Sequence, residues 1–397
     1  MPNVSEQVEL SITSVSQTGA GVGINSQGKK FFVPGSWIGD EVLADILPNQ
    51  SSDMRYRQTH LKKILVPSSA RVTPACASAG HGDHDCPCCP WIGIDYQAQL
   101  QQKQQFLLNM INKLNIPFES NILKEIIPSE KILGHRLRAQ FKCNGKKIGY
   151  MNSKGSDIVA INDCPIMIPS IRHWLGSVAS QLPNSSLAPS PGYQFNFIDI
   201  DDDIVDHSAK NKPVILQDII LNQRRPFKQA NGDTNKKILN WLAEIIKKNA
   251  HRSSILELFA GRGNLSSVIA PLAHKLWAAE VDNNAIPHLQ KIVRDFPHTI
   301  AIQDNLFDMQ GLKSVLKIAH TAQGLILNPP RDGLKMRNLL LDELPNLQWI
   351  AYISCTPEKM LADAKAWSKR WRLIEIRGID QFPHTPHLEA VAYFEKL

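Results

Sequence analysis

The chain has 397 residues, of which 43% are apolar and 20% charged, with a formal net charge of +7. That length accommodates two or three domains with separate cores, no low-complexity tract interrupts it, and no apolar run approaches the roughly 20 residues that span a bilayer. The opening stretch Met1-Pro2-Asn3-Val4-Ser5-Glu6 lacks the basic and apolar regions of a signal peptide, so a cytoplasmic location with no membrane partner is expected. The mild basic excess is compatible with a polyanionic partner and is weak support for one on its own.

From Val8 to Leu65 the sequence reads as five short strands, Val8–Val15, Ala20–Ile24, Lys29–Val33, Glu41–Ile46 and Thr59–Leu65, joined by turns at Gly19, Gly28, Gly35 and Gly39. Five short strands at that spacing predict a small closed barrel of the oligonucleotide-binding type. The next segment, about Val66 to Lys210, opens on a cysteine window and a Gln-rich helix from Tyr96 to Leu114. Two stretches within it, Pro183 to Pro191 and the acidic run Asp199 to Asp206, read as exposed loops.

The chain has 7 cysteines, and Cys76, Cys86, Cys88 and Cys89 fall in that one window, while Cys143, Cys164 and Cys355 stand apart. In a reducing compartment such a cluster reads as metal binding rather than a disulfide framework. Cys76, Cys86, Cys89 and Cys164 supply four thiolates, a set that fits tetrahedral zinc or a [4Fe–4S] cluster; spacing does not separate the two.

From about Pro213 strands alternate with helices, the pattern of a parallel sheet covered on both faces. Ile255–Phe259, Leu276–Val281, Thr299–Ile302, Gly324–Leu327 and Trp349–Ser354 are the predicted strands, with helices at Leu265–Ala273, Leu334–Leu341 and Glu358–Trp367. Leu373–Ile379 and Glu389–Phe394 have no helical crossover between them and predict an antiparallel closing pair.

Four motifs on that sheet carry chemistry. The strand-to-helix turn Glu257-Leu258-Phe259-Ala260-Gly261-Arg262-Gly263-Asn264 lets the backbone approach a ligand. Ser266 stands where a dinucleotide fingerprint wants its third glycine, and Glu280 at the end of the next strand is placed for a ribose diol. S-adenosylmethionine, which has no pyrophosphate, suits this turn better than NAD. The loop Asn328-Pro329-Pro330-Arg331 follows a strand at the ligand-binding edge, its direction fixed by two prolines. Cys355, in Ser354-Cys355-Thr356-Pro357, ends another strand, and Pro383-His384-Thr385-Pro386-His387-Leu388-Glu389 leads into the last one.

The order and wording of these motifs resemble the RNA 5-methyluridine methyltransferases. Cys86-Pro87-Cys88-Cys89, with Asp95-Tyr96, Gln99-Leu100 and Lys103 after it, resembles the iron–sulfur branch that acts on 23S ribosomal RNA. The N-terminal stretches Gly19-Ala20-Gly21-Val22-Gly23 and Gly39-Asp40-Glu41-Val42 are similar to the TRAM domain, an RNA-binding barrel. The implied architecture is an α/β class I S-adenosylmethionine-dependent methyltransferase sheet of Rossmann-like type. A TRAM/OB-like β-barrel and an α+β iron–sulfur domain precede it, with domains at residues 1–66, 67–210 and 211–397.

The resemblance also assigns roles. Cys355 is the nucleophile that adds to carbon 6 of uracil, creating an enolate that takes a methyl group on carbon 5. The thiol is expected to be exposed and partly ionised, helped by a helix N-terminus. Glu389, raised by desolvation, removes the carbon-5 proton. Gln229, Phe259, Gly261, Gly263, Asn264, Glu280, Asp304 and Asn328 bind the cofactor; Cys76, Cys86, Cys89 and Cys164 hold a [4Fe–4S] cluster. Phe227, from the motif Phe227-Lys228-Gln229 with Asn231, and Arg331 face an extruded base. Arg136, Arg138, Lys142, Lys146 and Lys147, with Arg224, Arg225 and Lys228, are candidates for phosphate contacts.

Four positions depart from the family pattern: Ala260 for cysteine, Asn328 for aspartate, Thr356 for asparagine and Cys88 for glycine. Cytosine-5 chemistry is disfavoured because Pro330-Arg331 stands where those enzymes carry Pro-Cys. Two alternatives stay open, a catalytically impaired RNA-binding protein of the same fold and a transfer RNA uracil-5 methyltransferase. No protein partner is implied.

Overall fold

The computed structural model describes residues 6–48, 55–82, 84–114, 121–205, 214–249 and 253–397. Asp206 and the expected boundary between residues 210 and 211 lie outside them. The chain divides into two compact units, one of Met1–Gln102, Ile132–Gln223 and Pro383–Pro386, the other of Lys103–Lys131, Arg224–Phe382 and His387–Leu397.

The first unit opens with β1 (Gln7–Val15), β2 (Gly21–Ile24), β3 (Lys30–Val33), β4 (Glu41–Ile46) and β5 (Tyr56–Val66). They close into a barrel in the order β1-β2-β3-β5-β4, as the glycine-punctuated sequence predicts. Alternate residues face inward, so Leu10 and Ile12 of β1 meet Phe31 and Val33 of β3 and Val42, Ala44 and Ile46 of β4 in one core. Helix α1 (Tyr96–Leu114) matches its predicted bounds; its residues from Lys103 onward belong to the second unit, as does β6 (Leu123–Ile127).

The remaining strands of the first unit are β7 (Arg138–Cys143), β8 (Ile148–Met151), β9 (Ile158–Ala160) and β10 (Asn196–Asp201), in the order β10-β7-β8-β9. Helix α2 (Pro169–Ala179) buries Ile171, Trp174, Leu175 and Val178 in the same core as Phe141, Ile148 and Ile198. Here the structure corrects the expectation of an exposed acidic loop. Asp199 and Asp201 are buried members of β10, and the Arg138 guanidinium donates to both Asp199 oxygens, at 3.0 and 2.5 Å. The cation offsets the cost of burying the carboxylate, and Arg138 is thereby committed to Asp199 rather than standing open for a phosphate. Lys147 is likewise paired with Asp157 at 2.6 Å.

The second unit is built on one sheet. After α3 (Gly232–Lys248) come β11 (Ser254–Leu258), α4 (Ser266–Ile269), β12 (Lys275–Glu280), α5 (Ile286–Asp295), β13 (Thr299–Gln303), α6 (Met309–Ile318) and β14 (Gly324–Leu327). Then follow α7 (Arg337–Asp342), β15 (Trp349–Ser354), α8 (Pro357–Trp367), β16 (Trp371–Ile379) and β17 (Glu389–Lys396). The order is β13-β12-β11-β14-β15-β17-β16-β6 in an 8-stranded sheet, parallel except for β17, which runs antiparallel to both neighbours. The closing pair appears as predicted. β6, pairing parallel with β16, was not foreseen, because its five residues show no strict alternation and are only partly buried. Two cores cover the faces: Leu256, Leu258, Leu325, Leu327, Ile350 and Tyr352 on one, Ile255, Ile326, Ala351, Ile353, Val391 and Tyr393 on the other. Among the described residues no helix is long and apolar enough to cross a membrane.

The turn from β16 toward β17 is held by a buried ion pair. Lys103 Nζ lies 2.5 Å from Asp380 Oδ1, both side chains are fully buried, and the ammonium also donates to the Phe382 carbonyl at 3.0 Å. Burial lowers the Lys103 pKa, and Asp380 opposes that shift. Asp380→Ala would leave a buried cation without its carboxylate and is expected to cost about 3–5 kcal/mol. The double variant Lys103→Met/Asp380→Leu should recover most of that. Urea denaturation midpoints check this, and a single variant as stable as the double would contradict it.

Candidate active site

β11 ends in a turn where Phe259, Gly261 and Gly263 all take positive φ, of 64°, 55° and 85°. For the bulky Phe259 this is a strained conformation that the surrounding structure must hold in place. At Gly263 a Cβ would lie 2.4 Å from the flexible end of Ile292 in α5, which would have to shift, so the positive φ is the stronger reason for glycine there. The Gly261 N–H donates to Glu280 Oε2 at 2.8 Å, while Val281 and Asp282 N–H groups donate to Oε1 at 2.7 and 2.9 Å. Three backbone donors thus orient the Glu280 carboxylate at the carboxyl end of β12, the edge where open α/β sheets bind ligands.

Asp304 follows β13 at the same edge. Its Oδ1 accepts from the Asn305 N–H at 2.8 Å and occupies space that a side chain at 311 would fill: a Cβ on Gly311 would come within 2.4 Å of it. Phe259 packs against Phe307 with ring centroids 5.6 Å apart, and Lys335 Nζ sits 4.9 Å from the Phe307 centroid. Asn264 differs from a free ligand-binding amide. It exchanges two 2.9 Å hydrogen bonds with Asn235 of α3, so its carboxamide ties the turn to that helix.

The second half of the site comes from register. β15 and β17 pair antiparallel with Ser354 opposite Ala390 as the last pair, so Cys355, which follows one, and Glu389, which precedes the other, flank the same end of the ladder. The two groups are near enough that the negative charge of Glu389 raises the Cys355 thiol pKa. Glu389 is 3% exposed, and burial alone pushes its carboxyl up to about 8.

Cys355 departs from expectation. It is half-buried, and burial, followed by the negative charge of Glu389, raises its thiol pKa; Thr356 and the nearby Arg331 guanidinium oppose the rise without overcoming it. The helix N-terminus that was to ionise it begins at Pro357, where Thr356 offers no side-chain cap. Loss of solvation outweighs the helix-end field, so the thiol of the free protein is held neutral. Asn328 is half-buried after β14, with Pro329 buried, and Arg331 is exposed in the turn closed by the Gly333 N–H to Pro330 carbonyl bond of 2.9 Å.

The motif before α3 resolves into separate duties. Asn231 caps the helix, its Oδ1 accepting from Asp233 and Thr234 N–H groups, and its Nδ2 donates to Ser129 Oγ at 2.8 Å. Gln229 is buried, its Oε1 accepting from Gln381 Nε2 at 2.7 Å, and Gln381 in turn accepts from the Thr234 hydroxyl. Phe227 is 65% exposed. Thr234 and Gln381 had no signal in the sequence, since each acquires meaning only through a partner far along the chain. Glu257 was quoted only as part of its motif; it is fully buried, accepts from the Ser266 hydroxyl, and burial pushes its carboxyl up to about 8.

His384 stands within the motif that leads into β17. Its φ is 67°, and four bonds hold it there. Its N–H donates to Gln99 Oε1 at 2.9 Å, its carbonyl accepts from the Trp91 N–H at 3.0 Å, and its ring nitrogens meet Gln99 Nε2 and the Ile132 carbonyl at 3.2 and 3.0 Å.

In the first unit Cys76, Cys86, Cys88, Cys89 and Cys164 line one cavity of about 50 Å³, with Arg136 and Tyr150 also on its wall. Burial pushes Cys89 up to about 12 and Cys164 up to about 11, and neighbouring thiols add to both rises while Arg136 opposes them. Arg136 therefore faces sulfur rather than solvent phosphate. Among the described residues, no group of three or more His, Cys, Asp or Glu side chains is placed to hold a metal ion. The thiols stand around a space instead of closing on a point. Cys143 is buried in β7 and does not line the cavity.

Comparison with known proteins places these features. An uncharacterized RNA methyltransferase of Nitrosomonas europaea is 34% identical over 388 residues, covering 97% of this chain and 96% of that one. A 23S rRNA (uracil(1939)-C(5))-methyltransferase of Halomonas elongata is 26% identical, covering 98% of this chain and 89% of the relative. The solved structure of the Pyrococcus abyssi tRNA (uracil-54, C5)-methyltransferase with S-adenosyl-L-homocysteine superposes with a TM-score of 0.66 at 20% identity, covering 98% of this chain and 100% of that one. It shares the fold, a class I methyltransferase sheet with a barrel. The model of the tRNA (uracil-5-)-methyltransferase family matches residues 196–397, and this chain belongs to that family of RNA uracil-5 methyltransferases.

Proposed function

We propose that this protein methylates carbon 5 of a uridine in 23S ribosomal RNA, with Cys355 as nucleophile and Glu389 as base. The observation that carries the reading is the placement of these two residues at the same end of the β15–β17 ladder, where the charge of Glu389 acts on the Cys355 thiol. Whole-length similarity to a 23S rRNA uracil-5 methyltransferase supports the substrate class. The cofactor is S-adenosylmethionine, which supplies a methyl group on a sulfonium sulfur. Gln229, Phe259, Gly261, Gly263, Asn264, Glu280, Asp304 and Asn328 form its site, with Glu280 turned toward the ribose. Three functional segments are assigned: a TRAM-like barrel over 1–66, a [4Fe–4S] segment over 67–210 held by Cys76, Cys86, Cys89 and Cys164, and the catalytic segment over 211–397.

The chemistry follows from two groups that start neutral. Cys355 gives its proton to solvent as Sγ bonds to carbon 6, Glu389 likewise gives its proton to solvent, and the carbon 5–carbon 6 π electrons move to leave an enolate on the carbon 4 oxygen. Carbon 5 then takes the methyl group and becomes tetrahedral. Ionised Glu389 removes the proton from carbon 5, the double bond re-forms, and the C6–Sγ bond breaks to release the thiolate. Arg331 lies where its charge favours the thiolate, and exposed Phe227 is placed to stack on an extruded base.

With RNA containing 5-fluorouridine, fluorine cannot leave as a proton, so a covalent complex should persist on a denaturing gel and vanish in Cys355→Ala. Ribosomal and transfer RNA fragments run side by side separate the two substrate classes. No adduct with either would leave a binding protein as the better reading. Glu389→Gln should accumulate the adduct on ordinary uridine while turnover is lost.

Because Glu389 acts ionised and its carboxyl sits near 8, and Cys355 is raised as well, turnover should climb as pH rises through about 8. The apparent values will belong to the pair rather than to either group. A rate already flat below about pH 7 would contradict a buried base. At the cofactor edge, Gly311→Ala crowds Asp304 and should weaken S-adenosylhomocysteine binding by about tenfold, the equivalent of about 1.4 kcal/mol, read by titration calorimetry.

A further inference from the structure

The loop from β14 to α7 carries Arg331 in its exposed turn and is fastened to α8, the helix that begins at Pro357, just past Cys355. Gly333, at φ 70°, lies against that helix: a Cβ there would come within 3.1 Å of Lys359 Cβ. At the far end of the loop Arg337 Nη1 lies 2.9 Å from Asp363 Oδ1, and the Arg337 carbonyl accepts from Trp367 Nε1 at 3.3 Å. The second Asp363 oxygen accepts from the Tyr352 hydroxyl of β15 at 2.9 Å. Asp363 and Tyr352 are buried and Arg337 is half-buried. Burial pushes the Asp363 carboxyl up to about 6, against the hydrogen bond from Tyr352 and the charge of Arg337, so the pair is ionic at neutral pH.

A buried ion pair is weak evidence of stability, since apolar side chains of the same volume often serve as well. What this one does is fix three elements relative to one another: β15, which ends before Cys355, α8, which follows it, and the start of α7. Between the fastened points stands Arg331. Burial and the charge of Glu389 raise the Cys355 thiol, and the Thr356 hydroxyl and the Arg331 guanidinium oppose them. An exposed guanidinium keeps such an effect only while its loop is held in place.

We propose that Arg337 and Asp363 are positioning residues for the nucleophile: their ion pair, oriented by Tyr352, holds the Arg331 loop on α8 so that the guanidinium stays beside the Cys355 sulfur as it becomes anionic. This rests on the reading of Cys355 as nucleophile given above. Arg337 acts through Arg331, so the two effects are not independent.

The test is a double-mutant cycle on the full chain. Alkylation of Cys355 by iodoacetamide is followed against pH, by mass spectrometry of the peptide that carries it, in wild type, Arg331→Ala, Arg337→Ala, the double variant and Arg337→Lys. Each alanine variant should move the alkylation midpoint upward by about half a pH unit, an exposed cation counting for less than a buried one. The double variant should move it no further, and Arg337→Lys should recover part of the loss. Thermal melts separate a displaced loop from a lost fold. Should Arg337→Ala fail to fold, Tyr352→Phe, which fills the same space without the orienting hydroxyl, should shift the midpoint in the same direction. A folded Arg337→Ala with the wild-type midpoint would reduce the pair to a stabilising contact and overturn the proposal. Additive shifts in the double variant, or no shift in Arg331→Ala, overturn it too. Absence of a wild-type adduct with 5-fluorouridine RNA would instead remove the nucleophile reading, while the alkylation cycle still decides whether Arg337 positions Arg331.

Discussion

The antiparallel placement of β17 between β15 and β16 is the constraint on which the proposed chemistry depends. A strand entering parallel would bring its carboxyl end to the cofactor edge; β17 enters antiparallel and brings its first residue there instead. Glu389 therefore begins a strand just before the ladder's last pair, Ser354 with Ala390, and Cys355 follows that pair on the other strand. A slip of one residue would turn Glu389 to the opposite face. Both sheet faces are packed, with Ala390 and Ala392 in one core and Val391 and Tyr393 in the other, so such a slip would disrupt both cores.

That geometry has an electrostatic cost which the reaction can use. A thiolate and a carboxylate side by side in a half-buried corner repel, and desolvation penalises each separately. The low-energy state of the free site is consequently thiol beside carboxylic acid, with Glu389 near 8. The proposed reaction asks for the charges in sequence: first on sulfur, then on the carboxylate, after the sulfur has been neutralised by its bond to carbon 6. The two anions need never coexist, because Glu389 has taken up the carbon-5 proton when the thiolate is released. The departure of Cys355 from the expected ionised thiol is thus compatible with its proposed role, since the charge arises when a ring is present to take it.

Much of this was legible in the sequence. Regular alternation gave β11, β12, β14 and β15 to within a residue or so, because buried parallel strands are short continuous apolar runs between glycine or polar turns. Glycine punctuation marked the barrel. The legible parts are local. What escaped required partners distant in sequence: β6 is a strand only because β16 offers an edge, and Asp199 is buried only because Arg138 meets it. The expected helix at Leu265–Ala273 shortens to Ser266–Ile269. Ionisation was the least legible property, because composition around Cys355 reports a helix start and says nothing of how much water reaches the sulfur.

Two residues of the resembling motif gain a physical meaning that no pattern supplies. Gln99 and Lys103 lie one turn apart on α1, on a shared helical face. Gln99 holds His384 in its left-handed conformation from within the first unit, and Lys103 holds Asp380 and the Phe382 carbonyl within the second. The connection that leads to Glu389 is therefore fixed at several points before the strand begins. A base that works by burial must be held there, since a carboxylate free to swing into water would regain its ordinary acidity and lose its reach for the carbon-5 proton. Within the second unit, the buried ammonium of Lys103 fixes Asp380 and Phe382 on the approach to that strand.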